Sequence, residues 1–298
     1  MYFQLKLKLE NNMDSFYNFL PILGIMCVAG ISAGFLAGLL GVGGGIIFVP
    51  VLHIIFTSFF KMNAGDSISL ATATSLLCMI PTTLSSCLAH FKKQNVDTAL
   101  VKRWIVFLII GIICGRLLSG LYGGLWLSVL FGCILLLAAA NMILFANKKA
   151  LFDSLPSLKI QRIIAFFIGS ISVMLGIGGG TLTVPTLTLF NFDPKKAIGS
   201  AACIGFLISI PGAVVTIITD LMLYCFDDNF TKAHNAPPLT LGHVCFLAVI
   251  AIIPFSMAVA PLGVKVNKLL NPITIKRLFA LLLIFTGTKM LLGGLQIF

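Results

Sequence analysis

Two glycine runs, Gly41-Val42-Gly43-Gly44-Gly45 and Gly176-Ile177-Gly178-Gly179-Gly180, border or interrupt long apolar stretches, and Val-Pro follows each four residues later. Glycine loses more backbone freedom in a helix than any other residue, so each run is read as a break between helical pieces. Around the breaks lie apolar runs near the ~20 residues that a helix needs to cross a bilayer. They are 18–40, 68–91, 104–122, 125–146, 197–219, 242–264 and 278–298, with two less regular stretches at 46–60 and 163–190. Hydrophobic residues make up 59% of the chain, charged residues only 10%, and mean hydropathy is +1.09. A soluble domain is about a quarter charged. The chain therefore reads as an all-α integral membrane protein.

The formal charge of +11 fits that reading and argues against a nucleic-acid partner. The bases come in pairs that flank apolar runs, such as Lys92-Lys93, Lys102-Arg103 and Lys195-Lys196, as at the cytoplasmic ends of membrane spans. Seven of the eight cysteines lie in apolar stretches, with Cys225 alone in a polar connection; no CxxC spacing or histidine cluster occurs. Neither a disulfide nor a metal site is expected, and no cofactor. Residues 1–17 form a polar segment without a cleavable signal core, so the first apolar stretch is read as a retained span.

The breaks belong to an internal repeat. Residues 34–52 (GFLAGLLGVGGGIIFVPVL) and 169–187 (GSISVMLGIGGGTLTVPTL) are identical at nine of nineteen positions at an offset of 135. Ala71-Thr72-Ala73-Thr74-Ser75 faces Ala197-Ile198-Gly199-Ser200-Ala201 at an offset of 126, and Gly115, Phe131 and Met142 match Gly263, Phe279 and Met290 at 148. The halves are read as 18–146 and 163–298, joined by a basic connector at 147–162. If each break is a turn, each half holds about five helical elements. Fourteen bases in the loops then fall on one side and four (Lys6, Lys8, Lys61, Lys232) on the other, the sharper split that the positive-inside rule favours. Five is odd, so the second half enters upside down. The expectation is an inverted repeat in a cell membrane of the bacterial inner-membrane kind, with both termini non-cytoplasmic.

Irregular backbone persists in hydrocarbon only where protein or a water-filled cavity satisfies it. A glycine break repeated in inverted halves points to a substrate site at the midplane. A helix restarting there offers unpaired N–H groups and a positive dipole end, and glycine lets an anion approach the backbone. The expected substrate-binding residues are Gly41, Gly43, Gly44, Gly45, Gly176, Gly178, Gly179 and Gly180, with the nearby hydroxyls of Thr74, Ser75, Thr181 and Ser200. The competing reading is that the glycines only permit close helix packing and the hydroxyls bond their own helices. Ionisable residues inside spans default to functional candidates. Arg116, Lys289, His53 and His90 are therefore assigned to the pathway or to proton coupling, with His53 read as the better buried histidine and His90 as interfacial. No acidic residue falls deep in a span, which argues against a carboxylate proton site.

The doubled glycine segment ending in Val-Pro, the Ala-Thr-Ser-Leu element at 73–76, and Ala89-His90 with Asn95-Val96-Asp97 resemble the sulfite exporter TauE/SafE family over residues 20–296. The resemblance implies a multi-pass secondary carrier of small, typically sulfur-containing anions such as sulfite or sulfonates. Gln94 stands where a glycine is common, and Ser200-Ala201 lacks the second hydroxyl of the Thr-Ser pattern. The expected function is alternating-access transport of such an anion across the lipid bilayer, with protons as a coupling partner. Its rivals are a passive anion channel, a non-transport subunit of a membrane complex and, least favoured for want of a nucleophile–base pair, a membrane enzyme.

Overall fold

A computed structural model describes residues 2–121, 124–144, 152–226 and 235–295. Outside them fall the Tyr122-Gly123 part of one turn, the Lys148-Lys149 pair and the acidic Asp227-Asp228 segment. Ten α-helices stand among the described residues: α1 (Tyr2–Leu40), α2 (Gly45–Ser58), α3 (Ala64–Lys92), α4 (Thr98–Leu121), α5 (Gly124–Leu144), α6 (Leu158–Met174), α7 (Gly180–Leu189), α8 (Pro194–Phe226), α9 (Phe246–Leu269) and α10 (Pro272–Gly294). A small hairpin, β1 (Thr240–Leu241) and β2 (Val244–Cys245), precedes α9. Five helices are long and apolar enough to cross a membrane, whereas α2 and α7, with 14 and 10 residues, are not.

Local sequence explains the boundaries. Asn63 caps α3 by accepting from Asp66 N at 2.7 Å. Asp97 and Asp193 accept from Leu100 N and Lys196 N and so open α4 and α8. Each such side chain satisfies an N–H that the first turn leaves unpaired. The distribution of polarity is reversed from that of a soluble protein. Leu137, Leu281 and Phe285 are 67–70% exposed, while Ser67, Thr74, Ser75, Thr83 and Ser200 are fully buried. Lipid solvates the outside, and the hydroxyls find partners inside.

Helix pairing is preserved when the first five helices are exchanged for the last five. α1 packs on α9 and α6 on α4, α2 on α3 and α7 on α8, while α3 meets α8 and α5 meets α10. Small residues make these contacts close. A Cβ on Gly34 would overlap the Ser256 backbone, and one on Gly169 the Leu108 backbone. Those two contacts are repeat mates, since 169 − 34 = 135 and 256 − 108 = 148. The mates α3 and α8 run antiparallel, with Thr83 opposite Ser209 (3.4 Å) and Cys87 opposite Cys203.

At the first break the chain turns back. Val51 of α2 lines one groove with Gly24, Val28 and Ser32 of α1.

Two expectations are corrected. The antiparallel crossing of α3 and α8 brings the Cys87 and Cys203 Cα atoms to 4.8 Å, and the two cysteines form a disulfide. Residues 116 apart give no sign of this in sequence. Asp220, just past the apolar run read as 197–219, lies within α8 and is 5% exposed, held by Arg116 of α4 and by His243.

The glycine contacts give the first prediction. Gly34→Val and Gly169→Val should each lower stability by about 1–3 kcal/mol through overpacking, whereas Gly24→Val, with nothing within 4 Å, should not. Thermal unfolding in detergent reads the difference; equal effects at all three positions would contradict the packing.

Candidate functional site

The two glycine breaks lie against each other in the middle of the bundle. Gly41 meets Gly180, Gly43 meets Gly178 and Gly45 meets Gly176, so the segments pass antiparallel about the Gly43–Gly178 contact. A Cβ on Gly43 would lie 3.3 Å from Gly178 Cα, and one on Gly45 would lie 2.7 Å from Gly176 O. Gly41, Gly43, Gly44 and Gly176 have φ of 70°, 82°, 88° and 63°, a region that glycine alone enters freely. The Met79 sulfur and the Thr83 methyl of α3, with Ile204 and Ile208 of α8, close around the crossing. Residues 79–83 are near the middle of the 29-residue α3, which sets the crossing at mid-bundle.

A helix that ends inside a membrane leaves carbonyls unpaired. Around the first break other helices supply the donors. Ser86 donates to Ala37 O at 3.0 Å, His90 Nε2 to Gly38 O at 2.9 Å, and Asn267 to Leu39 O at 2.6 Å. His90 is thus fully buried and caps α1, correcting its interfacial assignment, while His53 is only half-buried. The second break closes on itself, with Ile177 N bonded to Ser172 O and Gly176 N to Val173 O. Ser75 Oγ adds a bond to Gly176 O at 2.8 Å.

Thr74 and Ser200 form a matched pair. Thr74 Oγ1 accepts from Cys245 N at 3.0 Å, and Ser200 Oγ accepts from Asp97 N at 2.9 Å. Each comes from the third helix of one half and fixes the start of the fourth helix of the other. The offsets (200 − 74 = 126, 245 − 97 = 148) are those of the repeat. The Thr-Ser element is therefore already engaged in holding the halves together.

Both breaks keep unpartnered polar atoms, but of different kinds: His90 Nδ1 and Asn267 Oδ1 beside the first, hydroxyls at the second. Ser172, Thr181 and Thr183 are buried, and their hydroxyls have no protein partner. Their mates at the offset of 135 are Ala37, Ile46 and Phe48. Pro185 also lacks the N–H that would close on the Thr181 carbonyl. An unpaired buried hydroxyl costs about 1–3 kcal/mol, so these groups call for an explanation beyond packing. Thr181 was legible from the repeat. Ser172 was not, because it precedes the break and its repeat mate is Ala37, so the repeat gave it no polar counterpart.

Two pathway candidates converge. His53 and Lys289 line a cavity of about 760 Å³ between α2, α5 and α10, with Thr57 and Ser128. His53 Nδ1 is 2.9 Å from Ser67 Oγ. Arg116 is elsewhere, 3.1 Å from Asp220. At the opposite end of the bundle, Lys93 donates to Val264 O at 3.1 Å. Desolvation, then Lys268 and Lys265, hold its ammonium below the usual lysine value. That positive field favours anions.

Comparison with known proteins agrees with this architecture. The sequence model of the sulfite exporter TauE/SafE family matches residues 26–290. The chain belongs to that family. It is 30% identical over 272 residues to a probable membrane transporter protein of Haemophilus influenzae, covering 90% of this chain and 98% of that one. It is 29% identical over 293 residues to one of Bacillus subtilis (91% and 98%), and 26% identical over 278 residues to one of Methanocaldococcus jannaschii (93% and 98%). No solved structure matches. This TauE/SafE member is thus a multi-pass membrane protein of a transporter family.

The matched hydroxyls give the second prediction. Thr74→Val and Ser200→Ala should each lower stability by about 1 kcal/mol, the net worth of one hydrogen bond, and Ser200→Ala should leave anion affinity unchanged. Unfolding midpoints and binding isotherms check both; a loss of affinity at unchanged stability in Ser200→Ala would show that its hydroxyl touches substrate.

Proposed function

We propose that the protein is a secondary carrier of small sulfur-containing anions, with its anion site at the start of α7. The observation that carries this reading is the set of buried, unpartnered hydroxyls at the second break. The N–H groups of Thr181, Leu182 and Thr183 close on the Gly178 and Gly179 carbonyls, while the Thr181 side chain and the side-chain-free backbone of Gly178–Gly180 are suited to accept an oxyanion. Such groups bind without burying a fixed positive charge, and an anion bound there removes the desolvation penalty of the hydroxyls. The substrate class rests on the name of the family; the relatives' names say only that they are probable membrane transporters.

Alternating access follows from the breaks. With Gly43 on Gly178 the centre is closed, so passage requires the breaks to part. Antiparallel α3 and α8 support an inverted arrangement of the halves, in which such parting exposes the centre to each side in turn. The Cys87–Cys203 bridge lies four residues from Thr83 on α3 and six from Ser209 on α8, near the crossing of the two mates, and so holds a hinge there rather than a gate. The basic end, carrying Lys93, Lys265 and Lys268, is assigned to the cytoplasm, which puts the His53–Lys289 cavity on the other side as a vestibule. An inside-negative potential drives a monovalent anion outward by about 2.3 kcal/mol per 100 mV. A central contact that must open in each cycle favours a carrier over a passive channel.

Uptake and efflux of labelled sulfite, thiosulfate and sulfoacetate in proteoliposomes test the reading. Wild type should give saturable flux with counterflow. Thr181→Val should raise KM about tenfold or more, as expected for a lost charge-assisted hydrogen bond of about 1.5–3 kcal/mol, yet unfold no earlier than wild type, since it removes an unpaired buried hydroxyl. Unchanged KM in a folded Thr181→Val protein would remove the site, and absence of flux for every anion would remove the carrier.

A further inference from the structure

The one carboxylate buried within a described membrane helix sits in a cluster that the anion site does not use. Asp220 Oδ1 accepts from Arg116 Nη2 at 3.1 Å and from His243 Nδ1 at 2.9 Å, while Oδ2 accepts from the His243 backbone N–H at 2.8 Å. Arg116 also donates through Nε to Thr219 Oγ1 at 3.2 Å. The three groups come from α4 of the first half, α8 of the second and the hairpin before α9. Gly242 is shaped to this cluster. Its φ is 56°, and a Cβ there would lie 2.6 Å from Asp220 Oδ2, so glycine lets the hairpin fold over the carboxylate. A cavity of about 220 Å³ opens beside Asp220, walled mainly by Ile217, Leu221, Val244 and Phe246. At the repeat offsets the mates of Asp220 and Arg116 are Gln94 and Val264. The cluster therefore serves no packing need common to the two halves.

Arg116 and Asp220 carry opposite charges, and imidazole is the side-chain type that gains or loses a proton near neutral pH. Among the described residues, Arg116 and His243 are the charged or titratable groups facing Asp220; the Cys245 thiol interacts with Cys78 and Thr240 instead. A single added charge beside an apolar cavity is felt strongly, because low-dielectric surroundings screen it little.

The cluster also has a physical connection to the second break. His243 lies in the turn between β1 and β2, and β2 ends at Cys245. The Cys245 N–H donates to Thr74, and the adjacent Ser75 donates to Gly176 O. Movement of the hairpin thus acts on the residues that fix the second break.

We infer that the Asp220–His243 pair, backed by Arg116, is a proton-binding site, and that its occupancy is coupled through hairpin 240–245 and Thr74-Ser75 to the second glycine break. Reciprocity requires that if the proton changes anion affinity, the anion changes proton affinity by the same factor. The inference depends on the carrier reading only for what the proton is coupled to.

The first arm of the test needs no substrate. Amide-exchange protection factors, corrected for the intrinsic pH dependence, are measured for segments 240–245 and 172–178 in the detergent-solubilised protein between pH 5.5 and 8. Wild type should change about tenfold in both segments, the factor given by one unit of pKa difference between two conformations. His243→Asn, whose amide replaces the Nδ1 donor but does not titrate, should hold both within twofold across that range. Asp220→Asn should do the same, and His243→Asn keeps the test decisive if Asp220→Asn fails to fold. A flat wild-type profile, or a pH step that persists in His243→Asn, would overturn the proton site. The second arm is net thiosulfate uptake down an imposed thiosulfate gradient with a trapped pH dye, chosen because thiosulfate does not buffer near neutrality. Proton movement in wild type that is lost in His243→Asn with thiosulfate uptake retained would support coupling. Net thiosulfate uptake without proton movement would overturn it. If thiosulfate is not moved, the first arm alone decides the proton site, and the failure belongs to the carrier reading.

Discussion

Two stretches of glycine backbone touch at the centre of this membrane bundle, and the rest of the structure is arranged around that contact. Neither stretch continues a helix, so each leaves polar backbone where hydrocarbon would not tolerate it. The first is satisfied by Ser86, His90 and Asn267 from neighbouring helices, the second by its own turn and by Ser75. α2 and α7 then start from the middle of the bundle and are too short to span it. The longer helices fill the remaining width, α3 against α8 through the centre and the glycine-lined pairs α1–α9 and α4–α6 beside them. Any side chain larger than hydrogen at Gly43, Gly45 or Gly178 would push these layers apart.

The repeat makes the scaffold symmetric, and its departures from symmetry carry the chemistry. Thr74 and Ser200 do the same job in both halves, as do Gly34 and Gly169. The unpartnered hydroxyls Ser172, Thr181 and Thr183 occur at one break only, opposite Ala37, Ile46 and Phe48 in the other half. The Asp220 cluster likewise has no mate. A duplicated fold supplies two interchangeable supports; a site for one substrate needs only one of them to be polar.

Sequence revealed the scaffold better than the site. The Gly-Val-Gly-Gly-Gly repeat, the basic pairs and the apolar runs determine the number and rough placement of the helices, because glycine and charge act locally on helix formation in lipid. The partners of Thr74 and Ser200 depend on contacts more than a hundred residues apart, which no local pattern encodes. His90 looked interfacial beside Lys92, yet its ring reaches back to Gly38. Asp220 lies just past the apolar run 197–219, yet Arg116 from another helix and His243 from the hairpin hold it inside α8. Cys87 and Cys203 pair only because α3 and α8 cross.

The central claim is that an anion sits at the start of α7. The most direct measurement is a structure determined with a selenium oxyanion, selenite or selenate, as a heavier stand-in for the sulfur anion, located by its anomalous signal. The account predicts a peak within hydrogen-bond distance of Thr181 Oγ1 and beside the Gly178–Gly180 backbone, with Gly43 and Gly178 drawn apart. A peak confined to the His53–Lys289 cavity, with the two breaks still in contact and Thr181 unpartnered, would contradict it.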